Sequence, residues 1–351
     1  MEKGKKVNAD KAERASISDL VEEMQKKYST QGCTIMIAEN YRQLSRTSTG
    51  IVALDYIIGG GFVDGSIVDI YGPKGCGKLT IALHVIAAAQ AAGKQCAFID
   101  VAEGIGKQCE SNNVEHNFDP FYAEVIGVDT DKLVCATPSS GEMAFDMTEK
   151  FILSRLINLI VIDSVDALVP KEALNGYGYN SDNLNSDRAK LINRAMRKLV
   201  GCAKDVGCTI IFINSIRKTG NVTSYDYESI GGHGLKDFST ISMEVHKTFT
   251  EMEVHHVQVK TVKNKTFPPF KTAEFDIITG LGIDNTGSIV DYAVNYGLIN
   301  KSDNGDYSYR DFNVQNRSRM IDDLNSEDGV DTLKNLEEAV RKMLLKDSVE
   351  K

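Results

Sequence analysis

The chain has 351 residues, of which 42% are hydrophobic and 25% are charged, a composition that excludes a fibrous or disordered protein. Its formal net charge of −9 excludes a protein that coats nucleic acid by bulk charge, so any DNA binding must come from basic residues gathered on one surface. The seven cysteines form no C-x-x-C pair, which argues against a disulfide framework or a zinc site.

The amino-terminal residues 1–45 predict a small arm. Apolar positions recur at helical spacing in Ile17–Tyr28, and Thr34–Ala38 has the composition of a strand. These two elements are too small to form a core of their own, so we expect them to pack on something else and to be needed for assembly. The stretch Met1–Arg14 mixes lysine with acids, unlike a leader peptide, and no apolar run is long enough for a bilayer span, so we expect a cytoplasmic protein without membrane contact.

Residues 46–284 alternate short apolar runs with helical stretches, which predicts an α/β fold with a mostly parallel sheet covered on both faces. The later runs alternate in polarity and predict antiparallel strands that extend the sheet. Residues 285–351 predict a small carboxy-terminal α/β domain. The predicted segments are strands Ile67–Tyr71, Cys96–Asp100, Leu159–Asp163, Thr209–Asn214, His256–Val262 and Ala273–Ile278, and helices Leu79–Ala92, Met143–Leu156, Ala189–Val206, Ser288–Tyr296 and Thr332–Leu345.

A glycine-rich loop follows the first of these strands and opens the next helix. In this context the motif G-x-x-x-x-G-K predicts that backbone N–H groups cradle phosphates, while Lys78 reaches the outer ones. A glycine-rich turn without a nucleotide is the alternative. The predicted nucleotide contacts of this loop are Gly72, Pro73, Lys74, Gly75, Cys76, Gly77, Lys78, Leu79 and Thr80.

Two positions concern the metal ion that accompanies a nucleotide. Leu79 stands where a phosphate loop places a serine or threonine that ligates magnesium, and Thr80 lies about 100° further round the helix. Asp163 ends an apolar strand and is predicted to hold Mg²⁺ through water; its alternative role is to cap the following turn.

The ordered motifs resemble those of the bacterial RecA recombinases over nearly the whole chain, from Ile17 to about Leu345. This similarity implies a RecA-type P-loop core that binds ATP and Mg²⁺, forms a homo-oligomeric helical filament on single-stranded DNA and pairs it with double-stranded DNA. Recombination mediators and a LexA-type repressor are the further partners that it implies. The similarity is carried by Ser48–Gly50, Ile70–Pro73, Val85–Gln90, Ala97–Asp100, Ala195–Leu199, Ile211–Asn214, Val262–Lys265 and Pro269–Lys271.

The resemblance also implies individual roles. Glu115 is similar to the glutamate that activates the attacking water, although Glu103 competes for this role because residues 101–113 form an insertion. Asp119 and Tyr122 are expected to contact adenine. Lys263 and Lys265 are expected to reach a neighbouring subunit's nucleotide; charges that guard an exposed edge strand are the alternative.

Two stretches without strand or helix signals, Asn175–Asp187 and Ser215–Gly232, resemble the DNA-binding loops of the family. Ser215 occupies the position of a glutamine that senses the terminal phosphate, and its side chain is shorter. Mobile surface loops without a ligand are the alternative. The predicted DNA contacts are Arg188, Lys190, Arg197, Arg217, Lys218, Gly231 and Gly232.

These features predict a DNA-dependent ATPase for recombination and DNA repair. Leu79 and Ser215 favour a second hypothesis, a filament-forming or regulatory paralogue with weak or no ATP hydrolysis. A hexameric helicase motor on the same core is a poorer match, because the amino-terminal helix and the carboxy-terminal domain fit the recombinase arrangement.

Overall fold

The computed structural model describes residues 17–28, 35, 44–101, 118–175, 181–218, 227–230 and 232–350. The chain divides into two compact units, Met1–Ser45 and Arg46–Lys351. The first unit contains the predicted helix, α1, at residues 17–28, and the Ile35 amide donates to the Gln25 side chain at 2.6 Å. Apart from Ile35, the predicted strand Thr34–Ala38 lies outside the described residues.

The second unit is organised around one large sheet. Its strands alternate with helices up to residue 238 and then follow one another as antiparallel neighbours. The strands are β1 (Arg46–Thr47), β2 (Phe62–Val63), β3 (Ile67–Gly72), β4 (Cys96–Asp100), β5 (Val134–Ala136), β6 (Leu159–Asp163), β7 (Thr209–Lys218), β8 (Tyr227–Ser229), β9 (Ile241–Glu251), β10 (Val254–Asn264), β11 (Thr272–Ile278), β12 (Gly282–Ile283), β13 (Asn300–Lys301), β14 (Tyr307–Tyr309) and β15 (Phe312–Val314).

Helices cover both faces of this sheet. The helices are α2 (Val52–Ile58), α3 (Lys78–Ala91), α4 (Pro120–Ile126), α5 (Gly141–Leu153), α6 (Lys171–Asn175), α7 (Ser181–Val206), α8 (Gly232–Phe238), α9 (Asn285–Asn295), α10 (Arg317–Asn325) and α11 (Val330–Glu350). The apolar side of α3 belongs to one buried cluster, and the apolar sides of α5 and α7 belong to a second. Among the described strands the sheet order is β12-β11-β10-β9-β3-β7-β6-β4-β5. Strands β9, β3, β7, β6, β4 and β5 are parallel neighbours, whereas β9 to β12 pair antiparallel, so the predicted fold class is confirmed.

Two segments predicted as loops contain regular structure. Helix α7 begins at Ser181, inside the predicted loop Asn175–Asp187; Ser181 and Asp182 are residue types that favour a helix start. Strand β7 continues to Lys218, inside the predicted loop Ser215–Gly232, because its last residues find an antiparallel partner in β8. Tertiary pairing therefore overrides the weak local strand signal of these residues.

The carboxy-terminal elements have their own buried cluster. Side chains of α9, α10 and α11 pack around Val290, Met320 and Leu336, beside the antiparallel sheet β13-β14-β15. Those strands are two or three residues long, too short for periodicity to predict. The Arg341 guanidinium donates to the buried Asp55 carboxylate of α2 at 2.6 Å. No helix in the described part of the chain is long and apolar enough to cross a membrane.

Candidate nucleotide site and DNA-facing surface

The phosphate loop connects β3 to α3, and its shape requires glycine. Gly75 and Gly77 have φ of 72° and 94°, in the left-handed region that favours glycine. A Cβ on Gly77 would lie 2.4 Å from Ile277 Cδ1, and one on Gly72 would lie 2.1 Å from the Val245 carbonyl oxygen. The loop therefore wraps closely against the sheet and leaves its backbone N–H groups at the amino-terminal end of α3, where anions bind.

The Lys78 side chain forms hydrogen bonds to the backbone of the phosphate loop. Its side chain is buried, and Nζ donates to the carbonyl oxygens of Gly72 at 2.9 Å and Pro73 at 2.6 Å. A third contact joins Nζ to Cys76 Sγ at 3.9 Å. A buried ammonium with these neutral partners is well placed to exchange its bonds for stronger ones with phosphate oxygens. The loop geometry and this lysine fit the phosphates of a nucleotide.

The loop opens into a cavity of about 620 Å³, within the size range of small-molecule sites. Several predicted nucleotide contacts line it together: Lys74 to Thr80, Tyr122, Asp163 and Ser215. Sequence reasoning did not identify the others, among them Ser164, Asp166, Lys247, His255 and Thr279. Asp166 lies three residues after a parallel strand, a position that is only a weak sequence signal for a site residue. Lys247, His255 and Thr279 lie on antiparallel strands or their connections, and no sequence motif marks them.

The oxygens near the phosphate loop include a partial magnesium site. Leu79 packs against the apolar core and offers no oxygen, and the Thr80 hydroxyl lies 3.1 Å from the Tyr122 hydroxyl. Asp163 ends β6 beside Asp100 of β4 and lines the cavity. The carboxylate of Asp163 therefore fits a hydrated Mg²⁺, while the hydroxyl that a phosphate loop normally contributes is absent.

The residues expected to contact adenine lie at the start of α4. Tyr122 lines the cavity. Asp119 caps α4 instead, since its carboxylate accepts from the backbone N–H groups of Phe121 at 3.0 Å and Tyr122 at 3.4 Å. Both candidates for the catalytic glutamate, Glu103 and Glu115, lie outside the described residues.

Ser215 links the cavity to the far side of β7. Its hydroxyl donates to Asp166 at 3.2 Å, and its N–H donates to Asn214 Oδ1 at 2.9 Å. The Asn214 amide in turn donates to Asp69 Oδ1 at 3.2 Å and to the Ile230 carbonyl at 2.8 Å. Burial raises the pKa of Asp69 from 3.8 to about 7, against the opposing effects of the Asn214 hydrogen bond and of Lys236 and Lys263.

Lys263 and Lys265 lie at the end of β10 and do not line the cavity. Lys263 Nζ donates to the carbonyls of Lys236 at 2.6 Å and Asp237 at 2.9 Å, and Lys265 Nζ lies 3.5 Å from the latter. Burial, with Lys265 nearby, lowers the pKa of Lys263. The two ammonium groups thus lie against the last carbonyls of α8, where cations are favoured, and not in the lining of this chain's own cavity.

The predicted DNA contacts fall into three groups. Arg188 departs from the prediction: it is buried, and its Nε donates to the Leu168 carbonyl at 3.1 Å. Because α7 extends back through this residue, the helical period places it on the same face as the buried Ile192. Lys190 and Arg197 are exposed on α7, with Lys190 paired to Asp187 at 3.0 Å. Arg217 and Lys218 lie on β7 and Gly232 opens α8, while Gly231 lies outside the described residues.

Comparison with known proteins agrees with this geometry. The model of the RecA N-terminal domain matches residues 15–284. Proteins named RecA are similar over most of the chain: that of Rhodococcus jostii is 40% identical over 280 residues, covering 78% of this chain and 76% of the relative. That of Cutibacterium acnes is 42% identical over 267 residues, covering 74% and 72%. That of Chloroherpeton thalassium is 37% identical over 308 residues, covering 86% and 82%.

The chain belongs to the RecA family. Its function is accordingly in homologous recombination and DNA repair, and the predicted resemblance is confirmed. As a family, RecA proteins bind ATP with Mg²⁺, hydrolyse ATP in a DNA-dependent manner and work as homo-oligomeric filaments on DNA.

Proposed function

We propose that this chain is an ATP-dependent recombinase that forms a helical filament on single-stranded DNA and promotes homologous pairing and strand exchange. The observation that supports this most directly is the phosphate cavity, in which Lys78, Asp163 and Tyr122 come together beside a glycine loop. When bound, ATP and Mg²⁺ supply the phosphoryl group and the charge neutralisation that its hydrolysis needs. The loop N–H groups and Lys78 would bind the phosphates, and Asp163 would help to hold the metal ion.

The proposed filament gives roles to residues that do not line the cavity. Lys263 and Lys265 lie where their ammonium groups contact α8, so in the proposed filament they act on the nucleotide of the next subunit rather than on their own. Helix α1 exposes 48% of Ile17, 54% of Leu20 and 37% of Met24, an apolar side suited to a second copy of the chain. Exposed Lys190 and Arg197, together with Arg217 and Lys218, are the proposed DNA contacts; Arg188, which is buried, is not among them.

A second candidate is a RecA-like filament or regulatory paralogue with little ATP turnover. The packing of Leu79 against the apolar core favours it, since no hydroxyl is available at that position. Both candidates share the fold and the filament, and they differ only in whether ATP is hydrolysed.

ATP hydrolysis stimulated by single-stranded DNA, measured for the native chain beside Leu79→Thr, separates the two. Turnover by the native chain at about the rate of an active family member, unchanged in the variant, supports the recombinase. No turnover in the native chain, with activity in the variant, supports the regulator. Absence of nucleotide-dependent DNA binding in either chain contradicts both.

A further inference from the structure

The cavity contains a second acid, Asp166, which the phosphate loop does not require. It lies in a short 3₁₀ turn, Val165–Ala167, directly after β6. Both of its carboxylate oxygens are held by hydroxyl groups: Ser164 donates to Oδ1, and Ser215 donates to Oδ2 at 3.2 Å. Asp166 is therefore held by Ser164, which directly follows β6, and by Ser215, which belongs to β7.

From Ser215 the hydrogen bonds continue out of the cavity. The Ser215 carbonyl accepts from the Ile230 N–H at 2.9 Å, and the Asn214 amide donates to the Ile230 carbonyl at 2.8 Å. Ile230 directly follows β8, the partner of β7. An unbroken series of bonds thus joins Asp166 to the β7–β8 hairpin, defined here as residues 209–218 and 227–230.

The middle of this series, at Asn214, is held in place by a neighbouring strand. Asn214 is buried in the sheet, and its amide is held by Asp69 on the neighbouring strand β3. Ser215 and Asn214 are both bonded to Ile230 within a close-packed interior, which transmits strain, so we expect a shift of Ser215 to be passed to Ile230. The other end of the series, at Asp166, lies in the cavity, where a ligand would contact it.

The charge of Asp166 makes that end sensitive to the occupant of the cavity. A carboxylate near phosphate groups is either repelled by them or drawn to their accompanying cation, and both effects change the strength of its bond to Ser215. Ser215 carries only a short, neutral hydroxyl, and its bond to Asp166 places a charged group at the cavity end of the series.

We propose that Asp166 is a positioning residue that makes the geometry of the β7–β8 hairpin depend on whether a terminal phosphate is bound. This inference rests on the proposed function, because the hairpin borders the segment that is expected to contact DNA. It assigns to the pair Asp166 and Ser215 the coupling that neither side chain performs alone.

The test compares the native chain with Asp166→Ala, Ser215→Ala and the double variant. Asp131→Ala is a matched control, since Asp131 is an exposed acid in another 3₁₀ turn, Thr130–Lys132. Hydrogen–deuterium exchange of the hairpin is measured with Mg²⁺ and either ADP or a slowly hydrolysed ATP analogue. The affinity for single-stranded DNA is measured in the same two states.

We expect the native chain and the control to show slower hairpin exchange and tighter DNA binding with the analogue, by at least about fivefold. Each single variant loses this difference, and the double variant loses no more than either single one, because both remove the same link. If Asp166→Ala fails to fold, Asp166→Asn, which keeps the size and loses the charge, is judged by the same criterion.

Three results would overturn the proposal: a native hairpin whose exchange is the same in both nucleotide states, a difference that survives in the Asp166 variant, or additive losses in the double variant. If the native chain binds no DNA, the proposed function fails, and hairpin exchange still decides whether Asp166 couples the cavity to the hairpin.

Discussion

The two halves of the central sheet contribute to the cavity in different ways. The parallel half delivers its groups at strand ends, where the loop after β3, Asp163 on β6 and Ser215 on β7 meet at one edge. The antiparallel half delivers side chains such as Lys247 of β9 and His255 of β10. We therefore expect the parallel half to determine whether a nucleotide binds, because the topology aligns its strand ends, and the antiparallel half to adjust how tightly it binds.

Strand β3 lies inside the sheet, next to β9, the strand at which parallel pairing changes to antiparallel pairing. It pairs in parallel with β7 on one side and β9 on the other, and it contains the buried Asp69. Burial raises the pKa of Asp69 from 3.8 to about 7 in the folded state. The folded protein thus keeps a proton that the unfolded chain releases, so the contribution of Asp69 to the free energy of unfolding falls between about pH 4 and pH 7 and is constant above.

The first prediction uses Asp69→Asn, which removes this titration. As the pH rises from about 4 to about 7, we expect the free energy of unfolding of the native chain to fall by about 2–4 kcal/mol relative to that of the variant. Urea unfolding at several pH values measures it, with the exposed Asp303→Asn as a control that should follow the native chain. If the difference in free energy of unfolding between the native chain and the variant did not change with pH, Asp69 would be ionised in its buried position on β3.

The second prediction tests the parallel half. Lys78→Ala removes the ammonium that donates to Gly72 and Pro73 and that is expected to bind phosphate. Nucleotide affinity should fall by at least about 100-fold, since charge-assisted bonds in a buried site are lost. Titration with a fluorescent nucleotide analogue measures it, beside Lys132→Ala, whose ammonium is exposed. Equal affinities in the two variants would refute the phosphate site.

The third prediction concerns the far end of the antiparallel half. Lys263→Ala should lower DNA-stimulated ATP turnover by about tenfold through the loss of a charged contact between subunits, and should leave nucleotide affinity of the dispersed chain within about twofold. Lys260→Ala, on the same strand and exposed, is the control. A loss of affinity in the dispersed chain would place Lys263 in its own cavity.

The sequence predicted the parallel half well because its signals are local. A strand, a glycine loop and a helix follow one another around Lys78, and an apolar run ends at Asp163, so contiguous residues specify both position and chemistry. Lys247 and Asp166 escaped prediction because their roles depend on strand pairing between distant segments. The burial of Arg188 escaped because the predicted helix began after it: once α7 includes residue 188, the helical period places it on the same face as the buried Ile192 and Met196.

The last prediction measures how much the antiparallel half contributes to binding. Lys247 is exposed at the cavity wall, so its attraction for phosphates is screened by water and salt, and Lys247→Met should weaken nucleotide binding by only about threefold. The loss should shrink further at high salt, whereas Lys260→Met should bind as the native chain does. An effect as large as that of Lys78→Ala would show that the antiparallel half is required for binding and does not merely adjust it.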